Sequence, residues 1–194
     1  MANDPLTPSQ TVGPFFHAAL HRAGWNDLTA GGARGERIAI EGRVLDGDGL
    51  PCDDALIEIW QANAAGKYAH PDDPQPADRL DPGFTGFGRA LTDASGRYHF
   101  DTVRPGRVPG ASGALQAPHV NLGIFARGLL RRLCTRIYFA DESSNDSDPV
   151  LASIADLAAR RTLLAARQPG TGPEVLYRFD IVLQGKGETA FFDV

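Results

Sequence analysis

The chain has 194 residues, enough for one domain with a substantial core. Hydrophobic residues make up 42% and charged residues 22%, the balance of a soluble globular protein. A net charge of -5 with no long basic run argues against nucleic acid as a partner. No stretch approaches the roughly 20 apolar residues of a membrane span, and the opening MANDPLTPSQTVGPFF lacks a signal-type apolar core. The expected setting is the cytoplasm, with no membrane association. Cys52 and Cys134 lie far apart and outside any metal or disulfide-framework spacing. They read as two reduced thiols, and a single bridge between them stays open.

In chain order, residues 1–36 are rich in Gly, Pro, Ser and Thr without periodicity and read as an extended arm. Such an arm lies on its own domain or on a neighbouring chain, and the expectation here is packing on a partner subunit. The domain proper spans 37–194. Ile38, Ile40, Gly42 and Val44 alternate with Ala39, Glu41, Arg43 and Leu45, the period of a strand. Asp46-Gly47-Asp48-Gly49 marks a turn, and Ala55–Trp60 the next strand. Residues 62–86 form a long loop crowded with Pro, Asp and Gly, a length more often functional than incidental. Gly88–Thr92 and Arg97–Asp101 flank an Asp93-Ala94-Ser95-Gly96 turn, which makes them a hairpin candidate. A second irregular loop covers 104–117, followed by strands over His119–Ala126 and Leu133–Phe139. Asp148 and Pro149 then predict a helix start, with Leu151, Ile154 and Leu157 on one face and a further helical turn at Leu163 and Leu164. Strands Tyr177–Leu183 and Thr189–Phe192 close the chain. The expected fold is all-β, an antiparallel sandwich with a short helical insertion near 149–168 and an extended N-terminal arm.

No Gly-rich phosphate loop, HExxH or GxSxG is present. His17 and His21 stand at a possible ligand spacing, but no acidic or cysteine partner is near them in sequence. His99, in a strand, reads as a surface or cross-strand residue.

The run Glu58-Ile59-Trp60-Gln61-Ala62-Asn63-Ala64-Ala65-Gly66-Lys67-Tyr68 resembles the signature of the intradiol ring-cleavage dioxygenases. So do Asp81–Arg89, Leu91-Thr92-Asp93, Thr102-Val103-Arg104-Pro105-Gly106 and Tyr177–Ile181, in the family's order over residues 38–194. The resemblance implies a site of two tyrosines and two histidines around ferric iron, because hard anionic phenolates favour Fe(III). Placed on this chain, the first tyrosine is Tyr68 and the first histidine is His119. The second tyrosine position is Val108, the second histidine position is Asn121, and an arginine of the family's pattern is replaced by Gln116. Valine cannot coordinate and an amide is a weak neutral donor, so the resemblance implies a vestigial site and no metal in this chain.

That loss resembles the iron-free chain of a duplicated pair within the family. Fe(III) is then expected in a homologous iron-bearing beta subunit. The implied substrates at the shared pocket are 3,4-dihydroxybenzoate (protocatechuate) and O2, and the implied assembly is a higher hetero-oligomer of alpha–beta protomers. Thr11, Gly13 and Pro14 of the arm and the cation Arg127 are carried over as this chain's contribution to the partner's substrate pocket. Phe15 stands where relatives often have tyrosine. Two alternatives stay open: a self-sufficient ferric dioxygenase completed by Asn121 or an unexpected donor, and a non-catalytic sandwich used for binding or as a scaffold.

Overall fold

The computed structural model describes residues 7–110, 113–169 and 174–193, without the side chains of residues 17 and 18. A short helix, α1 (Phe16–Leu20), precedes the first strands, β1 (Arg37–Leu45), β2 (Leu56–Gln61), β3 (Phe87–Leu91) and β4 (Arg97–Val103). Two-residue strands β5 (Val108–Pro109) and β6 (Leu115–Gln116) lie in the second loop. They are followed by β7 (His119–Phe125), β8 (Leu133–Phe139), helices α2 (Pro149–Ser153) and α3 (Leu157–Arg161), and strands β9 (Leu164–Arg167), β10 (Val175–Arg178) and β11 (Ile181–Val182).

The main sheet runs in the order β11-β1-β10-β9-β8-β7-β2-β3, with β4 added on β1. β9 joins its two halves, antiparallel to β10 and parallel to β8. The halves enclose one core. Ile38, Ile40, Phe100 and Tyr177 come from one side, and Ile57, Ile59, Val120, Leu122, Ile137 and Phe139 from the other, all close to fully buried. Burying a side chain of this size stabilises by about 1.5–3 kcal/mol. The all-β layered class expected from the alternation is therefore found, with antiparallel pairing in most of it.

Several local expectations need correction. β3 and β4 do not form a hairpin: the Asp93 turn closes with Asp93 N–H donating to Arg97 O at 2.9 Å, but β3 then pairs with β2 and β4 with β1. The turn passes the chain between the halves because Tyr98 and Phe100 must face the same core as Ile40. β1 pairs with β10 and β11 in parallel, so the sheet is not wholly antiparallel. The helical insertion ends at Arg161. Residues 164–167 are a strand, since Leu163 and Ala165 are buried at alternate positions and the backbone bonds to β8 and β10. The strand expected over 177–183 is two shorter ones, and the one over 189–192 is reduced to a single bridge between Cys134 and Phe192.

Two contacts fix the join between β1 and the segment after β10. Tyr98 donates its hydroxyl to Phe179 O at 2.5 Å. A Cβ on Gly42 would stand 1.7 Å from the same oxygen, so only glycine allows the approach. The later part of the arm lies on its own domain: Leu28 is buried, its N–H donates to Asp101 O at 2.8 Å, and Trp25 O accepts from Arg89 N–H.

Asp148 holds the helical insertion against the sheet. Fully buried, it accepts from the N–H groups of Val150 and Leu151 at the start of α2, from Ala117 N–H at 2.7 Å and from the Tyr138 hydroxyl. Asp148→Ala would leave these donors buried and unmet. Urea unfolding should show a loss of about 3 kcal/mol, and a loss under about 1 kcal/mol would contradict the cap's role.

Candidate functional site

Strand register assembles the candidate site. β7 pairs with β2 and β8 so that Trp60, Asn121 and Arg136 are direct partners, as are His119 and Tyr138 one pleat away. Directly opposed residues share a face. The face opposite the core therefore carries Trp60, Asn121, Arg136, His119 and Tyr138 together. The 62–86 loop folds over it and brings Tyr68 onto Trp60, with ring centroids 5.6 Å apart and planes 19° apart. Its shape depends on Asn63, whose side-chain oxygen accepts from Ala65 and Lys67 N–H, and on Asp73, which accepts from Tyr68 N–H at 2.7 Å.

Tyr68, Val108 and Asn121 line one cleft of about 1040 Å³, with His119 buried behind it. His119 approaches Ala117 O through Nδ1 at 2.8 Å. A carbonyl only accepts, so Nδ1 carries the proton and Nε2 presents a lone pair. That lone pair faces the Tyr68 hydroxyl at 3.5 Å. Asn121 donates from Nδ2 to Trp60 O at 3.1 Å and to the Tyr68 oxygen at 3.2 Å. Donation to a carbonyl fixes the amide's orientation, so Asn121 offers Tyr68 its NH2 and not its oxygen. Val108 contributes a buried isopropyl group.

Arg136 was not singled out in the sequence. It donates from Nη1 to Gln116 Oε1 at 2.6 Å and to the Tyr138 hydroxyl at 3.3 Å. Arg136 thus sets a guanidinium from β8 against the Gln116 amide. Its neighbours record the charge. Burial, reinforced by the Arg136 cation, lowers the His119 pKa to about 4. Burial raises the Tyr68 phenol above its usual range, against smaller opposing pulls from Asn121 and Arg136. The signal that could have found Arg136 is its place two residues from Tyr138 in an alternating strand, but register across strands is needed to put it opposite Asn121.

These residues do not fit a ferric ion. The phenol that would have to ionise is held neutral, and its partner imidazole faces it directly. One ligand position is a hydrocarbon, another presents an N–H donor, and a fixed guanidinium stands in the same cleft. Tight ferric binding needs deprotonated anionic donors, which this arrangement opposes.

The remaining residues gather elsewhere. Thr11 Oγ1 accepts from Gly128 N–H at 2.8 Å, and Phe16 packs on Phe125 with ring centroids 5.5 Å apart. Arg127 is exposed and paired with Asp54 and Asp53. Gly13, Pro14 and Phe15, which follow Thr11 closely in sequence, are exposed. The structure thus places Thr11 against the turn that carries Arg127, at the far end of β7 from His119, about 20 Å along the strand. His21 is exposed, and the side chain of His17 lies outside the described residues. Cys52 and Cys134 are free thiols. No helix among the described residues is long and apolar enough to cross a membrane.

A family model described as dioxygenase matches residues 12–185, and the chain belongs to this family of intradiol ring-cleavage enzymes. It is 44% identical to the protocatechuate 3,4-dioxygenase alpha chain of Pseudomonas putida, over 97% of this chain and 96% of that one. It is 38% identical to the protocatechuate 3,4-dioxygenase beta chain of Burkholderia cepacia, over 95% of this chain and 78% of that one. Among solved structures it resembles the dioxygenase domain of a dioxygenase–carbohydrate-binding fusion from Streptomyces sp. SirexAA-E. The TM-score there is 0.62 and the identity 27%, covering 96% of this chain and 100% of that one.

The His119 shift has a measurable consequence. An unfolded histidine takes up its proton near pH 6.5 and the folded one near pH 4, so between these values the unfolded state binds more protons and stability falls as pH falls. The full effect is roughly 3 kcal/mol. Urea unfolding at pH 7 and pH 4.5 should show the parent chain losing about 2–3 kcal/mol more than His119→Gln. Equal losses would mean that His119 is not held neutral.

Proposed function

We propose that this chain is the iron-free, alpha-type partner in a two-chain intradiol dioxygenase that cleaves protocatechuate. The separation of its two clusters carries the reading. His119 stands at one end of β7 and Thr11 and Arg127 beyond the other, and neither Thr11 nor Arg127 lines the cleft that holds Tyr68, Val108 and Asn121. Thr11, Gly13, Pro14 and Arg127 instead form an exposed group suited to completing a pocket on a homologous chain, one that holds Fe(III). The likeness to both an alpha and a beta chain supports such a pairing.

When bound in that partner, the iron would supply the site at which catechol and O2 meet. The net change breaks the bond between the two hydroxyl-bearing carbons, adds one oxygen atom of O2 to each, and gives 3-carboxy-cis,cis-muconate. This chain's residues would act on position and selection. Thr11 anchors the arm on Gly128, proline at 14 stiffens the path, and Gly13 has no atom within 4 Å of where a Cβ would stand, which leaves room for close approach. Arg127 offers a planar guanidinium that pairs with a ring carboxylate in two-point fashion. Asp53 and Asp54 hold it in the absence of substrate. The assembly is a hetero-oligomer of such pairs in the cytoplasm.

Reconstitution tests this. The chain alone should be colourless and iron-poor, and adding it to an iron-bearing beta-type chain should restore protocatechuate cleavage. Equal activity with and without it would sink the reading, as would stoichiometric, competent iron in the chain by itself. In the reconstituted enzyme, Arg127→Ala should raise KM for protocatechuate about tenfold while leaving unsubstituted catechol unaffected. An unchanged KM would remove Arg127 from substrate selection.

A further inference from the structure

The cleft above Asn121 has an unusual charge arrangement. Arg136 enters it half-buried and meets two neutral partners, Gln116 and Tyr138. Burial keeps the Tyr138 phenol protonated, with its pKa raised to about 12. No carboxylate among the described residues makes an ion pair with Arg136. Buried Asp148 lies beyond Tyr138 and is committed to three backbone N–H groups and the Tyr138 hydroxyl.

The acidic groups lining the cleft are otherwise engaged or face outward. Glu58 pairs with Arg89 at 2.6 Å, and Asp73 pairs with Lys67 at 3.5 Å. The Asp72 side chain is 90% exposed and Asp193 is exposed. A second cation, Arg132, lines the cleft, and its aliphatic stem covers Gly123. One wall is flat and aromatic, the stacked Trp60 and Tyr68. A half-buried guanidinium without a charged partner lacks the compensation that buried charges normally receive.

We propose that this cleft binds a small aromatic carboxylate, with the carboxylate on the Arg136 guanidinium and the ring against Trp60 and Tyr68. The ligand would receive a charge-assisted pair from Arg136 and a hydrogen bond from the Tyr68 hydroxyl in place of its 3.5 Å approach to His119. Arg132 at the mouth would draw the anion in. The site uses this chain's own residues, requires no iron and no partner, and stands apart from the Arg127 cluster.

The test uses the full-length chain and 19F NMR titration with two probes of one shape, 4-fluorobenzoate and neutral 4-fluorobenzyl alcohol. The acid should bind saturably and about tenfold or more tightly than the alcohol. Arg136→Gln should abolish that preference while leaving the alcohol's weak binding unchanged. Asn121→Asp, which places a negative charge in the same cleft and keeps Arg136, should weaken the acid at least about tenfold more than the alcohol and decides the matter if Arg136→Gln does not fold. No saturable binding of the acid, equal binding of the two probes, or a preference that survives both substitutions would overturn the proposal. Because neither probe needs the beta-type chain, failure here is distinct from failure of the reconstitution.

Discussion

The register that sets Trp60, Asn121 and Arg136 side by side across β2, β7 and β8 governs the functional half of this protein. A strand shifted by one residue turns every side chain to the opposite face. Here the opposite face is the core, where Ile59, Leu122 and Ile137 are almost completely buried. Moving Arg136 inward would bury an unpaired guanidinium, and moving Ile137 outward would give up its burial. The hydrophobic core thereby holds the cleft residues in place without touching them.

Within that frame, Tyr68, His119 and Asn121 form a hydrogen-bonded cluster with Arg136 beside it. Asn121 bonds to Trp60 and Tyr68, His119 bonds to Ala117 and faces Tyr68, and Arg136 bonds to Gln116 and Tyr138. Satisfied buried polar groups are tolerated in a fold, whereas orphaned ones cost free energy. The hydrogen bonds that make the cluster stable also make it hostile to a cation, because they consume the phenol and imidazole as neutral groups.

The same strand that organises this cleft leads at its far end to the turn that carries Arg127. Phe125 receives Phe16, and the turn beyond it receives Thr11 and presents Arg127. Among the described contacts of the early arm are the Thr11–Gly128 hydrogen bond and the Phe16–Phe125 ring pair. The later arm, with Leu28 in the core, belongs to the domain itself.

The sequence alone determined the strand-rich class, most strand positions in the chain's first two thirds, the Asp148–Pro149 helix start, and the presence of a hydrocarbon at 108 and a neutral amide at 121. These follow from local alternation, capping chemistry and residue identity, which need no partner in space. Tertiary structure decided what depends on distant pairing. It sent β3 and β4 to different partners, turned residues 164–167 into a strand between β8 and β10, and set Arg136 beside Asn121. It also placed Thr11 with Gly128 at the opposite end of β7 from His119. Backbone hydrogen bonds and burial across strands set these positions, and both couple residues far apart in the chain.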